Sequence, residues 1–263
     1  MRKKYQNIID HCIPLTAVTA LLVFWQGMHM VGVLPEYMLP SPVEVVKAFI
    51  MDFPLLMHHS WTTLWEAFAG LGIGIALGFL AASVMEHCHM LYRALYPLLV
   101  ITQTVPTVAI APLLVLWMGY GTAPKITLVV LVTFFPIAVG LLDGFAEADV
   151  DAIRLLKAMG ASRWQIFWHI KLPSALSYFF AGLRISVSYA VVGAVISEWL
   201  GGFSGLGVYM TRVKKSYAYD KMFAVIFLIT AISLLLMKLV DLVQKGLMPW
   251  TNCNYFRKDS KRE

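Results

Sequence analysis

The chain has 263 residues, of which 59% are hydrophobic and 14% charged, with a formal net charge of +6. A soluble domain runs at about 45–50% apolar and about 25% charged, so this composition leaves too little polar surface for a water-soluble globule. Long continuous apolar runs, without the period-two alternation of barrel strands, define an all-α integral membrane protein.

Arg2, Lys3 and Lys4 precede the first apolar run as in a signal peptide. That run is long, has no A-x-A cleavage site and leads to further spans, so it is expected to be a retained first helix. Six segments reach the roughly 20 apolar residues that a transmembrane helix needs: 12–33, 61–85, 94–117, 124–146, 175–198 and 222–244. The domain expectation is a tail over 1–11, one transmembrane domain over 12–246 and a second tail over 247–263. In the loop after the first span, Ser41 and Pro42 form a helix start, and Val45, Val46, Phe49 and Ile50 suit a short interfacial helix. Gly70, Gly74, Gly78 and Ala82 recur every four residues in the second span, and Gly182, Ser186, Ala190 and Ala194 in the fifth. Such stripes let helix backbones approach closely in lipid. Pro106, Pro112 and Pro136 lie inside the third and fourth spans, where they are expected to kink them.

Fourteen of the 21 Lys and Arg fall on the side of the N-terminus and six on the other, with Arg184 inside the fifth span. The excess places both termini in the cytosol and makes the positive charge a topology signal rather than a nucleic-acid surface. The cluster Arg212, Lys214 and Lys215 on the outer side runs against this trend. Cys12, Cys88 and Cys253 form no disulfide framework or zinc pattern.

Between the fourth and fifth spans lies a loop over 147–174 containing "KAMGASRWQIFWHIKLP". Ala152–Met159 is expected to be helical, with Gly160 in the left-handed position past its end. Ser162 and Gln165 make a capping box that starts a second helix, with Trp164, Phe167, Trp168 and Lys171 along one side. Pro173 is expected to end it and push Leu172 towards extended backbone. The result is a short amphipathic helix-turn-helix below the membrane, either resting on lipid or docking a partner.

Gly160, then nine residues, Ile170, and Leu172-Pro173 reproduce the spacing of the cytosolic EAA loop, with Gly160-Ala161-Ser162 fitting the same pattern. On these motifs the chain resembles the permease subunits of binding-protein-dependent ABC importers. "TVPTVAIAPLLVLWMGYGTAPKI" and "FAGLRISVSYAVVGAVISEWLGGFSGLGVYM" are similar to the sulfonate/nitrate/taurine type, the second also to the branch for thiamine pyrimidine precursors. The resemblance implies a type I importer permease fold, with Arg154, Lys157, Ala158, Gly160, Ala161, Ser162, Trp164, Phe167, Trp168, Ile170, Leu172 and Pro173 in an ATPase-coupling loop. It also implies a dimeric ABC ATPase that binds ATP and Mg, a substrate-binding protein outside the membrane, and a second permease copy. Where the family has Glu-Ala-Ala, this chain has Arg154, Leu155 and Leu156, which removes the acidic partner of any family salt bridge.

No other site competes with this one. Arg184 either snorkels to the cytosolic headgroups or contacts substrate; Glu198 either faces the translocation path or caps the interface. Gln103 and Thr104, just before Pro106, either line the path or are satisfied within their helix. Asp143, Glu147, Asp149 and Asp151 sit where helix-dipole partners do, and His58-His59 and His87-Cys88-His89 lie at span ends, where a solvated interface is expected. No catalytic or metal site is expected, and the sequence holds no Walker A motif G-x-x-x-x-G-K-[ST]. The rival readings are a self-contained secondary transporter or channel, which calls for intramembrane ionisable residues in paired broken helices, and a membrane enzyme, which calls for a clustered acid/base or metal site.

Overall fold

The computed structural model describes the backbone of residues 2–31 and 38–249, and side chains from Ile13 onwards other than 14, 15 and 32–37. The expected polar tail 254–263, Cys253, and the side chains of Arg2, Lys3, Lys4 and Cys12 lie outside the described residues.

The described chain is helical from end to end. Helix α1 (Arg2–Met30) leads to α2 (Pro42–Met51), α3 (Phe53–His87), α4 (His89–Thr104), α5 (Thr107–Met118) and α6 (Ala123–Ala146). Then come α7 (Val150–Ala158), α8 (Arg163–Ile166), a π turn (Phe167–Lys171), α9 (Leu172–Leu200), α10 (Leu206–Lys215) and α11 (Tyr219–Leu247). Helix α1 begins at Arg2, so residues of the expected N-terminal tail are continuous with the first helix.

Four described helical stretches are long and apolar enough to cross a membrane: α3, α6, the continuous Arg163–Leu200 and α11. The expected third span, 94–117, is not one helix. Helices α4 and α5 meet at a bend of 99°. Pro106 has no N–H and disfavours helical geometry at the residue before it; Val105 (ψ 123°) and Pro106 (ψ 121°) are both extended. The helices α5 and α6 continue through Pro112 and Pro136.

Pro173 likewise does not end a helix. Leu172 is helical (φ −63°, ψ −47°), and its N–H bonds the carbonyl of Phe167, five residues back. This π register change lets the chain pass Pro173 without a break. The expected second helix of the helix-turn-helix is therefore the start of a membrane span, and only α7 stands apart.

Helix α6 forms the centre of the bundle, with α3 and α9 against it. The small-residue stripes set these distances. A Cβ on Gly74 would sit 2.2 Å from Thr133 Oγ1, and one on Gly70 2.5 Å from Val129. Gly78 faces Ile137, and a Cβ on Gly182 would sit 2.3 Å from the Pro136 carbonyl oxygen. The Ser186 hydroxyl donates to the Thr133 carbonyl at 2.9 Å, which satisfies a buried polar group across α6 and α9. Around this centre, Ala82, Met85, Ile137, Leu141, Phe145, Ala175 and Phe180 form the core. Leu21, Val23, Phe24, Leu234 and Leu235 point outwards, as lipid-facing side chains do.

At the end away from α7, Ser41 and Glu44 form a capping box that starts α2. The Ser41 N–H bond to Glu44, with a smaller opposing effect of burial, holds that carboxyl below its ordinary range. Trp25 of α1 donates to the Pro40 carbonyl at 3.1 Å and stacks beside Phe227 of α11.

Candidate functional site: coupling segment, membrane groove and polar cluster

Helix α7 is built from local signals. The Asp149 carboxylate accepts from the N–H groups of Asp151 (2.9 Å) and Ala152 (3.3 Å), satisfying the first turn. At the other end the Gly160 N–H donates to Lys157 O and the Ala161 N–H to Leu156 O, both at 3.0 Å. That pair of bonds is a Schellman motif and requires a left-handed residue. Gly160 has φ +83°, and no atom lies within 4 Å of where its Cβ would be. Its requirement is purely one of backbone conformation. Ser162 and Gln165 then exchange capping bonds at 2.8 and 3.3 Å.

The segment exposes apolar side chains at the protein end: Leu155 (64%), Met159 (73%), Trp164 (59%) and Trp168 (46%). Together they leave an exposed apolar patch, of the kind that a lipid surface or another molecule covers. Phe167, expected on the same face, is turned inwards. It is buried against Phe145, with His87 beside it. Its ring still touches both Trp164 and Trp168, with centroids 5.9 and 6.0 Å away, so it joins the exposed pair to the core. Ile170 is half-buried, Leu172 packs on the core, and Pro173, Lys157 and Ala158 are exposed. Lys171 pairs with Glu86 at the end of α3. Among the described residues Arg154 pairs with Asp151 alone, at 3.2 Å and with both side chains exposed.

A second feature is the groove made by the α4–α5 break. A recess of about 410 Å³ is lined by Thr102, Gln103, Thr104, Thr107, Tyr189, Val192 and Ile196 among others. A cavity of about 370 Å³ continues it along α6 and α9 to Asp143 and Tyr178, sharing Gln103 and Tyr189 with the first. The Thr102 and Thr104 hydroxyls donate back to Leu99 O (2.6 Å) and Ile101 O (2.8 Å). Gln103 and Thr104 thus line this groove, whereas Arg184 and Glu198 do not. Arg184 pairs with Asp241 at 2.8 Å and bonds Gln244, tying α9 to α11.

Glu198 belongs to a third feature, at the end away from α7. It is 1% exposed and accepts from Thr63 Oγ1 (2.8 Å) and the Gly207 N–H (2.6 Å). Beside it, Glu66 pairs with Lys125 at 2.8 Å, with side-chain exposures of 1% and 6%. Thr63 accepts from the Leu206 N–H at 2.8 Å, and His59 Nδ1 accepts from the Gly205 N–H at 2.9 Å. His59, expected at a solvated interface, is therefore buried, and Lys125, one of the six cations assigned to the outer side, is a buried ion-pair partner. Gly205 and Gly207 leave no room for side chains here. A Cβ on Gly205 (φ +125°) would lie 2.2 Å from the Glu198 carboxylate. The stripe His59, Thr63, Glu66 at helical spacing inside an apolar run is the sequence signal that could have revealed this cluster. Nearby, outside the spans, burial would raise the Asp52 carboxyl, but bonds from Lys221 and Tyr209 outweigh it and hold it below its ordinary value. Burial, then Asp52 itself, pushes the Tyr209 phenol up, so it remains a donor.

An apolar helix bundle with a largely apolar recess at a broken helix, and an exposed apolar element at one end, fits a membrane transport subunit. Residues 74–252 match the family model of the binding-protein-dependent transport system inner membrane component, and the chain belongs to that family. It is 38% identical to a probable ABC transporter permease protein of Haemophilus influenzae, over 87% of this chain and 93% of the relative. It is 36% identical to the formylaminopyrimidine transport permease protein ThiX of Halalkalibacterium halodurans, over 95% and 98%. At 30% identity, over 90% and 89%, it is similar to the taurine transport system permease protein TauC of Escherichia coli. Its fold is that of a solved chain of the MetNI methionine ABC transporter in an inward-facing conformation, with TM-score 0.65, 20% identity, and coverage of 74% of this chain and 97% of that one.

Proposed function

We propose that this chain is the permease subunit of an ABC importer, moved by a separate ATPase that docks on the 147–174 loop and carries all ATP and Mg chemistry. The observation that carries this reading is the patch of Leu155, Met159, Trp164 and Trp168 exposed around the Schellman turn at Gly160. A helix held by caps at both ends moves as a rigid body, and Phe167, wedged against Phe145, passes that motion to the core. The α7 side faces the cytosol together with both termini. A second, identical copy faces the groove and completes the path, and a binding protein delivers a small solute at the opposite end.

Coupling then means that the inward- and outward-open arrangements differ in affinity for the closed ATPase dimer. The α7 patch is the contact through which that difference acts. Co-expression of the chain with its ATPase tests this: Leu155→Asp together with Trp164→Ala should abolish co-purification while the permease remains folded and membrane-inserted. Undiminished co-purification and transport by that variant would overturn the docking assignment.

A further inference from the structure

Resting on the permease reading above, we propose that the groove at the α4–α5 break is itself a substrate-binding site, built for a flat, uncharged, nitrogen-bearing heteroaromatic ring rather than for an anion such as a sulfonate. The chemistry of its lining carries the argument. Around the recess stand the hydroxyl residues Thr104 and Thr107, the amide of Gln103 and the ring of Tyr189, with apolar side chains between them. The lining of neither cavity includes a Lys or Arg, and the one charged residue along the groove is the acid Asp143.

The cations that share α6 and α9 with the groove are turned elsewhere. Lys125 is closed in against Glu66, and Arg184 faces Asp241 and Gln244 of α11. An anion entering the groove would leave water, meet no counter-ion and approach Asp143. A neutral ring meets partners of the right kind. Tyr189 is 48% exposed and offers a flat face for stacking. Gln103, exposed and lining both cavities, supplies both an N–H₂ donor and a C=O acceptor, which matches a ring edge that alternates amino group and ring nitrogen. The hydroxyls of Thr102 and Thr104 already donate to backbone carbonyls, which leaves the Gln103 amide and the Thr107 hydroxyl as the adaptable polar groups. A volume of about 410 Å³ lies in the range of small-molecule sites. Gln103 and Tyr189 are thus the residues that read the solute inside the membrane, after any binding protein has released it.

The test uses the purified permease–ATPase complex in detergent without binding protein, so that the permease's own preference is read. Equilibrium dialysis with radiolabelled formylaminopyrimidine, a neutral ring, and with ethanesulfonate, an anion, compares the two chemistries. The expected result is saturable binding of formylaminopyrimidine that ethanesulfonate does not displace. Gln103→Leu and Tyr189→Ala should each weaken it about tenfold, the loss of a hydrogen bond or a stacking face, while Tyr189→Phe retains it. Elution profile and ATPase co-purification, unchanged in these surface variants, exclude misfolding. Ethanesulfonate binding as tightly as the ring, binding that survives both substitutions, or no binding of either solute would each overturn the proposal. Failure of the ATPase to co-purify with the wild-type chain would instead overturn the permease reading beneath it.

Discussion

Replacing Lys125 by Met should destabilise the fold strongly, whereas replacing Lys125 and Glu66 together should not. The two side chains are almost fully buried and 2.8 Å apart, joining α6 to α3 across an apolar bundle. Lys125→Met keeps the aliphatic stem but leaves Glu66 without its cation, beside the second buried carboxyl group, Glu198. Breaking a buried ion pair by removing one partner costs about 3–5 kcal/mol, or roughly 10²–10⁴ in the folding equilibrium. The pair Glu66→Leu with Lys125→Met removes both desolvated charges and fills the space with apolar atoms, so its cost should fall to about zero or become a gain of about 1–4 kcal/mol. The measurement is reversible unfolding in mixed detergent–dodecyl sulfate micelles for wild type, both single variants and the double variant, read as a double-mutant cycle. A cost below about 1 kcal/mol for Lys125→Met, or a double variant as unstable as that single one, would refute the assignment of this pair as a buried element of the bundle.

Other substitutions probe other links. Gly160→Val should cost about 1–2 kcal/mol through left-handed backbone strain and uncouple ATP hydrolysis from uptake, while Gly160→Asn, which tolerates that region, should retain most coupling; equal activity of the two would contradict the Schellman reading. Gly205→Ala, with its Cβ driven into the Glu198 carboxylate, should lower the thermal midpoint and detach α10, seen as protease cleavage between α9 and α10. Arg154→Glu removes only an exposed pair with Asp151 and should leave permease stability within about 0.5 kcal/mol, changing instead the salt dependence of ATPase association. For Asp52, held below its ordinary value, the stability it contributes is present above the unfolded carboxyl pKa of about 3.9 and is lost as pH falls through the lower folded value. Asp52→Asn should therefore flatten the stability–pH curve in that acid window, as followed by circular dichroism; an unchanged curve would count against the Lys221–Asp52–Tyr209 corner.

Local signals in the sequence translated directly into local structure. Ser41-Pro42, Asp149, Gly160 and the Ser162–Gln165 box each act within five residues, and each fixes a helix end in the structure. Prolines were less legible, because their effect depends on neighbours far along the chain. Pro106 breaks a span, Pro112 and Pro136 do not, and a π turn carries the helix past Pro173. The polar cluster was hidden for the same reason. Glu66 and Lys125 are 59 residues apart and Thr63 and Glu198 are 135 apart, so no window of sequence holds both partners. Of the four residues considered for a path, Gln103 and Thr104 line the groove, while Arg184 and Glu198 are held by partners on other helices. Phe167 shares helical spacing with Trp164 and Trp168 and its ring meets both, yet it is buried against Phe145 while they are exposed, a difference in depth that spacing alone does not give.

The central claim is that an ATPase on another chain drives this bundle through the α7 patch. It is tested most directly by site-specific crosslinking in proteoliposomes holding permease, ATPase and binding protein, with Leu155→Cys in α7 and uptake measured in parallel. The account predicts an ATP-dependent crosslink from position 155 to the ATPase, and uptake that stops once the crosslink locks the two chains. Uptake that continues unchanged through a completed crosslink, or that proceeds in vesicles without any ATPase, would contradict it.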